Sequence, residues 1–108
     1  SGGVSITVDF NEPPSAPTDL QVALSEDGVV LTWSESQDSD LIGYNVYRRQ
    51  PPFDGFKVVA EVQHSPGTWQ TFIDTGVKTG VSYSYVVTAV DACGNESSRS
   101  NEVAIDMP

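Results

Sequence analysis

The chain has 108 residues, and its 15 Asp and Glu residues outweigh its 5 Lys and Arg residues to give a formal net charge of −10. This length fits one domain around one hydrophobic core, and the sequence has no apolar run of the roughly 18 residues that a membrane span needs. A surface this acidic repels phosphate, so we expect neither nucleic acid nor a membrane as a partner.

The first 13 residues form a segment apart from the rest. Residues 1–9 alternate apolar and polar side chains, and the proline-rich stretch 11–17 favours an extended, semi-rigid linker. Residues 1–6 share a Ser-x-x-Val-x-Ile spacing with residues 100–105. We interpret residues 1–13 as a linker or as the last strand of a preceding domain of the same kind; a local strand or a disordered tail is the alternative.

Seven short strands are predicted after this segment, because β-branched and aromatic residues recur at period two and turn residues follow about every ten positions. No helical periodicity interrupts them. The predicted strands are Thr18–Leu24, Val29–Trp33, Gly43–Arg48, Phe56–Val62, Trp69–Ile73, Tyr83–Asp91 and Asn101–Asp106. This pattern predicts an all-β fold of the β-sandwich type.

The sixth predicted strand is the longest β-branched and aromatic run without Gly or Pro. Its odd-numbered residues Tyr83, Tyr85, Val87 and Ala89 fall on one face, while the other face is mixed. Such a strand belongs in the middle of a sheet, with its apolar face toward the core.

Cys93 is the single cysteine and His64 the single histidine. One thiol forms no internal disulfide, and a zinc site needs about four ligands, so we expect no cofactor. The acidic neighbours Asp91 and Glu96 disfavour a reactive thiolate at Cys93. No Ser-His-Asp set and no Gly-rich phosphate loop occur, so we expect no enzymatic activity.

Five motifs follow one another at the spacing of a single domain. They are Pro17-Thr-Asp-Leu20, Leu31-Thr-Trp33, Gly43-Tyr44-x-Val46, Gly80-x-x-Tyr83-x-Tyr85-x-Val87-x-Ala89-Val90 and Ser100-Asn101-x-Val103. With them, residues 14–108 resemble a fibronectin type III domain of the type found in secreted bacterial proteins. The resemblance implies a seven-stranded immunoglobulin-like Greek-key β-sandwich.

The resemblance also implies structural roles. Trp33 would lie between the sheets, and Tyr83 would form a tyrosine corner, with its hydroxyl bonded to backbone a few residues upstream of it. Gly80 would allow the tight turn before that corner. The expected structural core is Trp33, Tyr44, Val46, Phe72, Tyr83, Tyr85, Val87 and Ala89.

Acidic residues from two loops should meet at one end of the sandwich. Asp38 and Asp40 precede the third strand, and Asp91, Asn95 and Glu96 follow the sixth. Oxygen ligands of this kind make a weak candidate for a Ca²⁺ site. The alternative is that these side chains form Asx-turns and cap the hairpin, on an acidic surface that only solubilises the chain.

Three aromatic residues are candidates for contact with a partner or glycan. Tyr47 should point outward, Phe53 lies in a turn, and Trp69 lies near a strand end. Exposed aromatic side chains can stack on sugars or anchor a protein partner. Alternatively, Trp69 folds over a sheet edge and Phe53 covers a hairpin.

These patterns, with the resemblance, favour a non-catalytic spacer or protein-interaction unit in an extracellular multidomain protein. The alternative is a carbohydrate- or partner-binding accessory module of a secreted polysaccharide-degrading enzyme. The expected partners are neighbouring domains of the same chain, and under the alternative a protein or carbohydrate ligand. The isolated domain is expected to be monomeric.

Overall fold

The computed structural model describes residues 13–36, 40–50, 55–65 and 67–108, and within them the regular secondary structure is entirely β. The strands are β1 Thr18–Ser25, β2 Gly28–Ser34, β3 Leu41–Arg49, β4 Lys57–Gln63, β5 Trp69–Asp74, β6 Ser82–Asp91 and β7 Val103–Asp106. The described residues contain no helix that could cross a membrane. Residues 1–12, with the interpretation of a preceding strand, lie outside the described residues.

The strands form two antiparallel sheets, in the orders β1-β2-β5 and β4-β3-β6-β7. The chain crosses between the sheets from β2 to β3, from β4 to β5 and from β5 to β6. Strands that are distant in sequence, such as β3 and β6, therefore become neighbours. The predicted seven-stranded immunoglobulin-like Greek-key β-sandwich is confirmed.

The core lies between the two sheets because each central strand turns alternate apolar side chains inward. Trp33 of β2 is 0 % exposed, and its ring meets Tyr44 of β3 edge-on at 5.4 Å between centroids. The structure also buries Val46, Tyr83, Tyr85, Val87 and Ala89. Phe72, expected in the same core, is half-buried and packs against it from the edge strand β5.

A buried polar network joins the sheets at one end of the sandwich. Asp74 of β5 accepts hydrogen bonds from Arg48 of β3, at 2.8 and 3.0 Å, and from the Tyr85 hydroxyl of β6, at 2.7 Å. The amide of Gly76 donates to the same carboxylate at 3.0 Å. Several donors satisfy the oxygens of the buried Asp74 carboxylate, and the guanidinium group of Arg48 compensates its charge.

Tyr83 forms a tyrosine corner at the start of β6. Its hydroxyl oxygen accepts a hydrogen bond from the amide of Lys78 at 2.8 Å, five residues upstream. Gly80 has a φ of 80°, a left-handed conformation that glycine adopts at little cost. This turn directs β6 to the centre of the four-stranded sheet.

The segment that follows β6 hydrogen-bonds to the backbone of that strand, partly through serine hydroxyl groups. Ser97 and Ser100 accept hydrogen bonds from the amides of Ala89 and Val87 through their side chains, at 2.8 and 2.9 Å. Their own amides donate to the carbonyls of the same two residues. Regular pairing therefore begins only at Val103, two residues later than predicted.

Candidate functional site

The loop after β6 is organised around the carboxylate of Asp91. This carboxylate accepts hydrogen bonds from the amides of Cys93 at 3.0 Å and Asn95 at 2.8 Å, and from the Asn95 side-chain amide at 3.2 Å. Burial alone would raise the pKa of Asp91, but these donors outweigh it and hold the pKa below its usual range. Asp91 thus caps its own loop, as in the Asx-turn arrangement.

The loops before β3 and after β6 approach each other as predicted, but only some of their acidic residues come together. The amide of Ala92 donates to the carbonyl of Asp40 at 3.0 Å, and one ligand atom each of Asp40, Asp91 and Cys93 lies within 4.8 Å of the others. Asp38 lies outside the described residues. A thiol is a poor partner for Ca²⁺, which takes six to eight oxygen ligands, so the described part of the cluster is a poor match for that ion.

Glu96, the fifth member of the expected set, points elsewhere. Its carboxylate accepts hydrogen bonds from Thr88 at 2.6 Å, from Asn45 at 3.3 Å and from the hydroxyl of Tyr47. These donors lower the pKa of Glu96 against the opposing effect of its burial. Glu96 therefore holds the outer face of the four-stranded sheet together and does not join Asp91.

The single histidine supports the core. His64 contacts the Tyr44 hydroxyl through Nδ1 at 3.0 Å, and its Nε2 lies 3.7 Å from Glu35. Burial raises the pKa of Tyr44 to about 12. His64 thus covers the end of the core next to Tyr44. These contacts of His64 do not form a pair of nucleophile and general base.

The two aromatic candidates that the structure describes lie on different sheets. Tyr47 is half-buried on the four-stranded sheet, where its hydroxyl donates to Glu96. Trp69 begins β5, an edge strand of the three-stranded sheet, and is 57 % exposed. Phe53 lies outside the described residues. Tyr47 and Trp69 therefore do not form one platform, and Trp69 keeps more than half of its surface in solvent.

Trp69 lies on an outward-facing surface whose residues were not predicted from the sequence to be neighbours. The antiparallel register places Trp69 opposite Ser34, Thr71 opposite Thr32, and Ile73 opposite Val30, while Thr32 also faces Gln21 of β1. Because Leu31 and Trp33 of β2 point inward, these residues point outward. We name six of them the neutral face: Gln21, Val30, Thr32, Trp69, Thr71 and Ile73.

A second surface feature, the stack of two arginines on Phe56, was also not predicted from the sequence. Two guanidinium groups lie over the Phe56 ring, that of Arg49 at 4.7 Å and that of Arg99 at 5.0 Å from the ring centroid. Arg49 also pairs with Glu102 at 2.9 Å. Arg99 is 43 residues from Phe56 in the chain, so no local pattern could reveal this stack. It secures the segment after β6 to the start of β4 through cation–π contacts.

The sequence matches the family model described as "Fibronectin type III domain" over residues 15–106. It is 39 % identical over 90 residues to an amylopullulanase of Thermoanaerobacter thermohydrosulfuricus. This match covers 83 % of this chain but only 6 % of the amylopullulanase. It is 31 % identical over 106 residues to chitinase A1 of Niallia circulans, covering 97 % of this chain and 14 % of the chitinase.

Among solved structures, the chain is similar to an Fn3-like protein from Clostridium thermocellum. The TM-score is 0.68 at 34 % identity, and the match covers 90 % of this chain and 96 % of that one. The chain thus corresponds to nearly all of that solved chain, and to 6 % of the amylopullulanase.

Proposed function

Because the chain belongs to the fibronectin type III family, we propose that it is a non-catalytic accessory module of a longer, secreted, polysaccharide-degrading enzyme. Its role there is to space neighbouring domains. The observation that carries this proposal is the difference in coverage. The same unit makes up 96 % of one solved chain and 6 % to 14 % of an amylopullulanase and a chitinase, both of which are polysaccharide-degrading enzymes by name.

The engagement of the polar side chains supports a structural role. The carboxylate of Asp74 is held by Arg48 and Tyr85, and that of Asp91 by the loop that it caps. The Nδ1 atom of His64 is engaged by Tyr44. A general acid–base pair needs carboxylates or imidazoles that can reach a substrate, and these groups are taken up by the fold.

Deletion of residues 14–108 from the parent enzyme tests this proposal. We expect hydrolysis of a short soluble oligosaccharide to be unchanged, because a spacer contributes no group to the reaction. Hydrolysis of the polymer should fall about two- to tenfold, since a spacer sets which domains can engage one polymer at the same time.

The matched control replaces the module by a flexible Gly/Ser linker of similar span. Recovery of polymer hydrolysis with that linker would mean that distance is the function of the module. Loss of oligosaccharide hydrolysis in the deletion variant, or equal activity on the polymer with and without the module, would contradict the proposal.

A further inference from the structure

The neutral face differs from the rest of this acidic molecule in its charge. None of its six side chains is charged, in a chain whose net charge is −10. The outer face of the four-stranded sheet carries the charged residues Arg49, Glu61 and Asp106 instead, and Glu96 reaches it from the loop after β6. Uncharged side chains give a charged partner no ion pair, and the field of the whole protein repels an acidic one. An uncharged ligand fits this face.

The chemistry of the neutral face is mixed in a way that suits a polyhydroxylated ligand. Trp69 offers a flat ring that is 57 % exposed, and Ile73, 43 % exposed, lies four residues further along the same strand. Gln21, Thr32 and Thr71 lie in one row across the three strands. The Thr71 hydroxyl already donates to the Leu31 carbonyl at 3.1 Å, so it offers a ligand an acceptor. The Gln21 amide and the Thr32 hydroxyl offer both donors and acceptors, which ligand hydroxyl groups require.

The dimensions of the neutral face favour a narrow ligand. Three strands about 4.8 Å apart and five residues at about 3.4 Å each give an area on the order of 200 Å². A stable protein–protein interface buries about 800 Å² on each partner. A protein partner would have to extend far onto the charged surroundings, whereas a single polysaccharide chain needs only a strip of this width.

We propose that the neutral face binds a neutral polysaccharide chain, with Trp69 stacked on a sugar ring and Gln21, Thr32 and Thr71 hydrogen-bonded to sugar hydroxyls. This inference rests on the proposed function and extends it, because the spacer then also touches the polymer that the enzyme degrades. It assigns a binding role to β5, a strand that the core uses only on its inner side.

Retention by polysaccharide tests the proposal directly. The chain is run in native gels containing amylopectin and is mixed separately with chitin and with microcrystalline cellulose. We expect retention by at least one of these neutral polymers, and none by anionic polygalacturonate. Trp69→Ala should weaken the retention about tenfold or more, as for an aromatic anchor, and Trp69→Phe should keep part of it.

Ile42→Ala is the matched control, because Ile42 is 54 % exposed but lies on β3 in the other sheet. Its retention should equal that of the unchanged chain, and all variants should melt within a few degrees of it, since exposed substitutions change stability little. Retention that Trp69→Ala leaves intact would overturn the proposal, as would equal binding to polygalacturonate.

Two further outcomes would also overturn it. If no neutral polymer retains the unchanged chain, the neutral face is not a polysaccharide site; the spacer function, measured by deletion in the parent enzyme, would still stand. If the chain forms dimers in sedimentation and Trp69→Ala abolishes them, the occupant of the neutral face is a second copy.

Discussion

Trp33 and Tyr83 both fill the core, but their polar atoms are treated differently. The Tyr83 hydroxyl accepts from the amide of Lys78, whereas Nε1 of Trp33 has no hydrogen-bond partner among the described residues. An unpaired buried donor costs roughly 1–3 kcal/mol. Trp33 therefore stabilises the fold through its apolar area, reduced by the penalty of that one nitrogen.

Substitution of Trp33 should separate these two contributions. Trp33→Ala removes the apolar area and leaves a cavity, so we expect a loss of about 3–5 kcal/mol in the free energy of unfolding. Trp33→Phe keeps a ring and removes the unpaired donor, so its loss should be only about 1–2 kcal/mol. Urea denaturation measures both; a loss below about 1 kcal/mol for Trp33→Ala would contradict the central position.

For single residues, the sequence is informative where a motif determines the position of the residue in the fold. Trp33 and Tyr83 could be placed because the resemblance to a fibronectin type III domain implies their positions. The bond between Arg48 and Asp74 could not, because 26 residues separate them and the pairing arises only when β3 and β5 approach from different sheets. The position of Trp69 near a strand end could be predicted, but its neighbours on the neutral face depend on the register of β5 against β2.

Among the elements, β7 shows how side chains replace backbone pairing. The alternating pattern predicted a strand from Asn101, but regular pairing starts at Val103. The Asn101 side chain instead bonds β1, accepting from the Leu20 amide and donating to the Leu20 carbonyl, both at 3.0 Å. A period-two pattern cannot distinguish a residue that pairs through its backbone from one that pairs through an amide side chain. This side chain joins β1 to the segment that leads into β7.

Removal of the Asn101 amide should therefore loosen both end strands. Asn101→Ala leaves the amide and carbonyl of Leu20 without these bonds, for an expected loss of about 1–3 kcal/mol in the free energy of unfolding. Glu102→Ala is the neighbouring control, since it breaks only the exposed pair with Arg49 and should cost about 0–1 kcal/mol. Equal losses for both variants in urea denaturation would show that Asn101 does not join the strands.

For the whole molecule, the buried tyrosines determine how stability responds to alkali. Burial raises the pKa of Tyr44 to about 12. Burial, and then the hydrogen bond to Asp74, raise the pKa of Tyr85 further above its ordinary range. Both side chains have a pKa of about 10 when unfolded. The unfolded chain thus loses protons above that pH while the folded chain retains them.

The free energy of unfolding should then be unaffected by these tyrosines below pH 10 and fall above it. Each tyrosine contributes a slope of about 1.4 kcal/mol per pH unit until its folded form titrates. Urea denaturation between pH 9 and pH 11.5 measures the slope, and Tyr44→Phe and Tyr85→Phe should each reduce it by one proton. An unchanged slope in either variant would mean that the substituted tyrosine titrates alike in both states.

The arginine contacts have a consequence for a string of such modules. Arg48 is paired with Asp74, and Arg49 and Arg99 each lie over the Phe56 ring, so three of the five Lys and Arg side chains are held against the module. The formal net charge of the module is −10. Adjacent copies then repel one another over a distance that salt sets at about 8 Å under physiological conditions. Two joined copies should be more extended in dilute salt than in concentrated salt, which small-angle scattering can follow. In the proposed spacer role, the separation that the module sets between its neighbours would depend on the ionic strength of the surroundings.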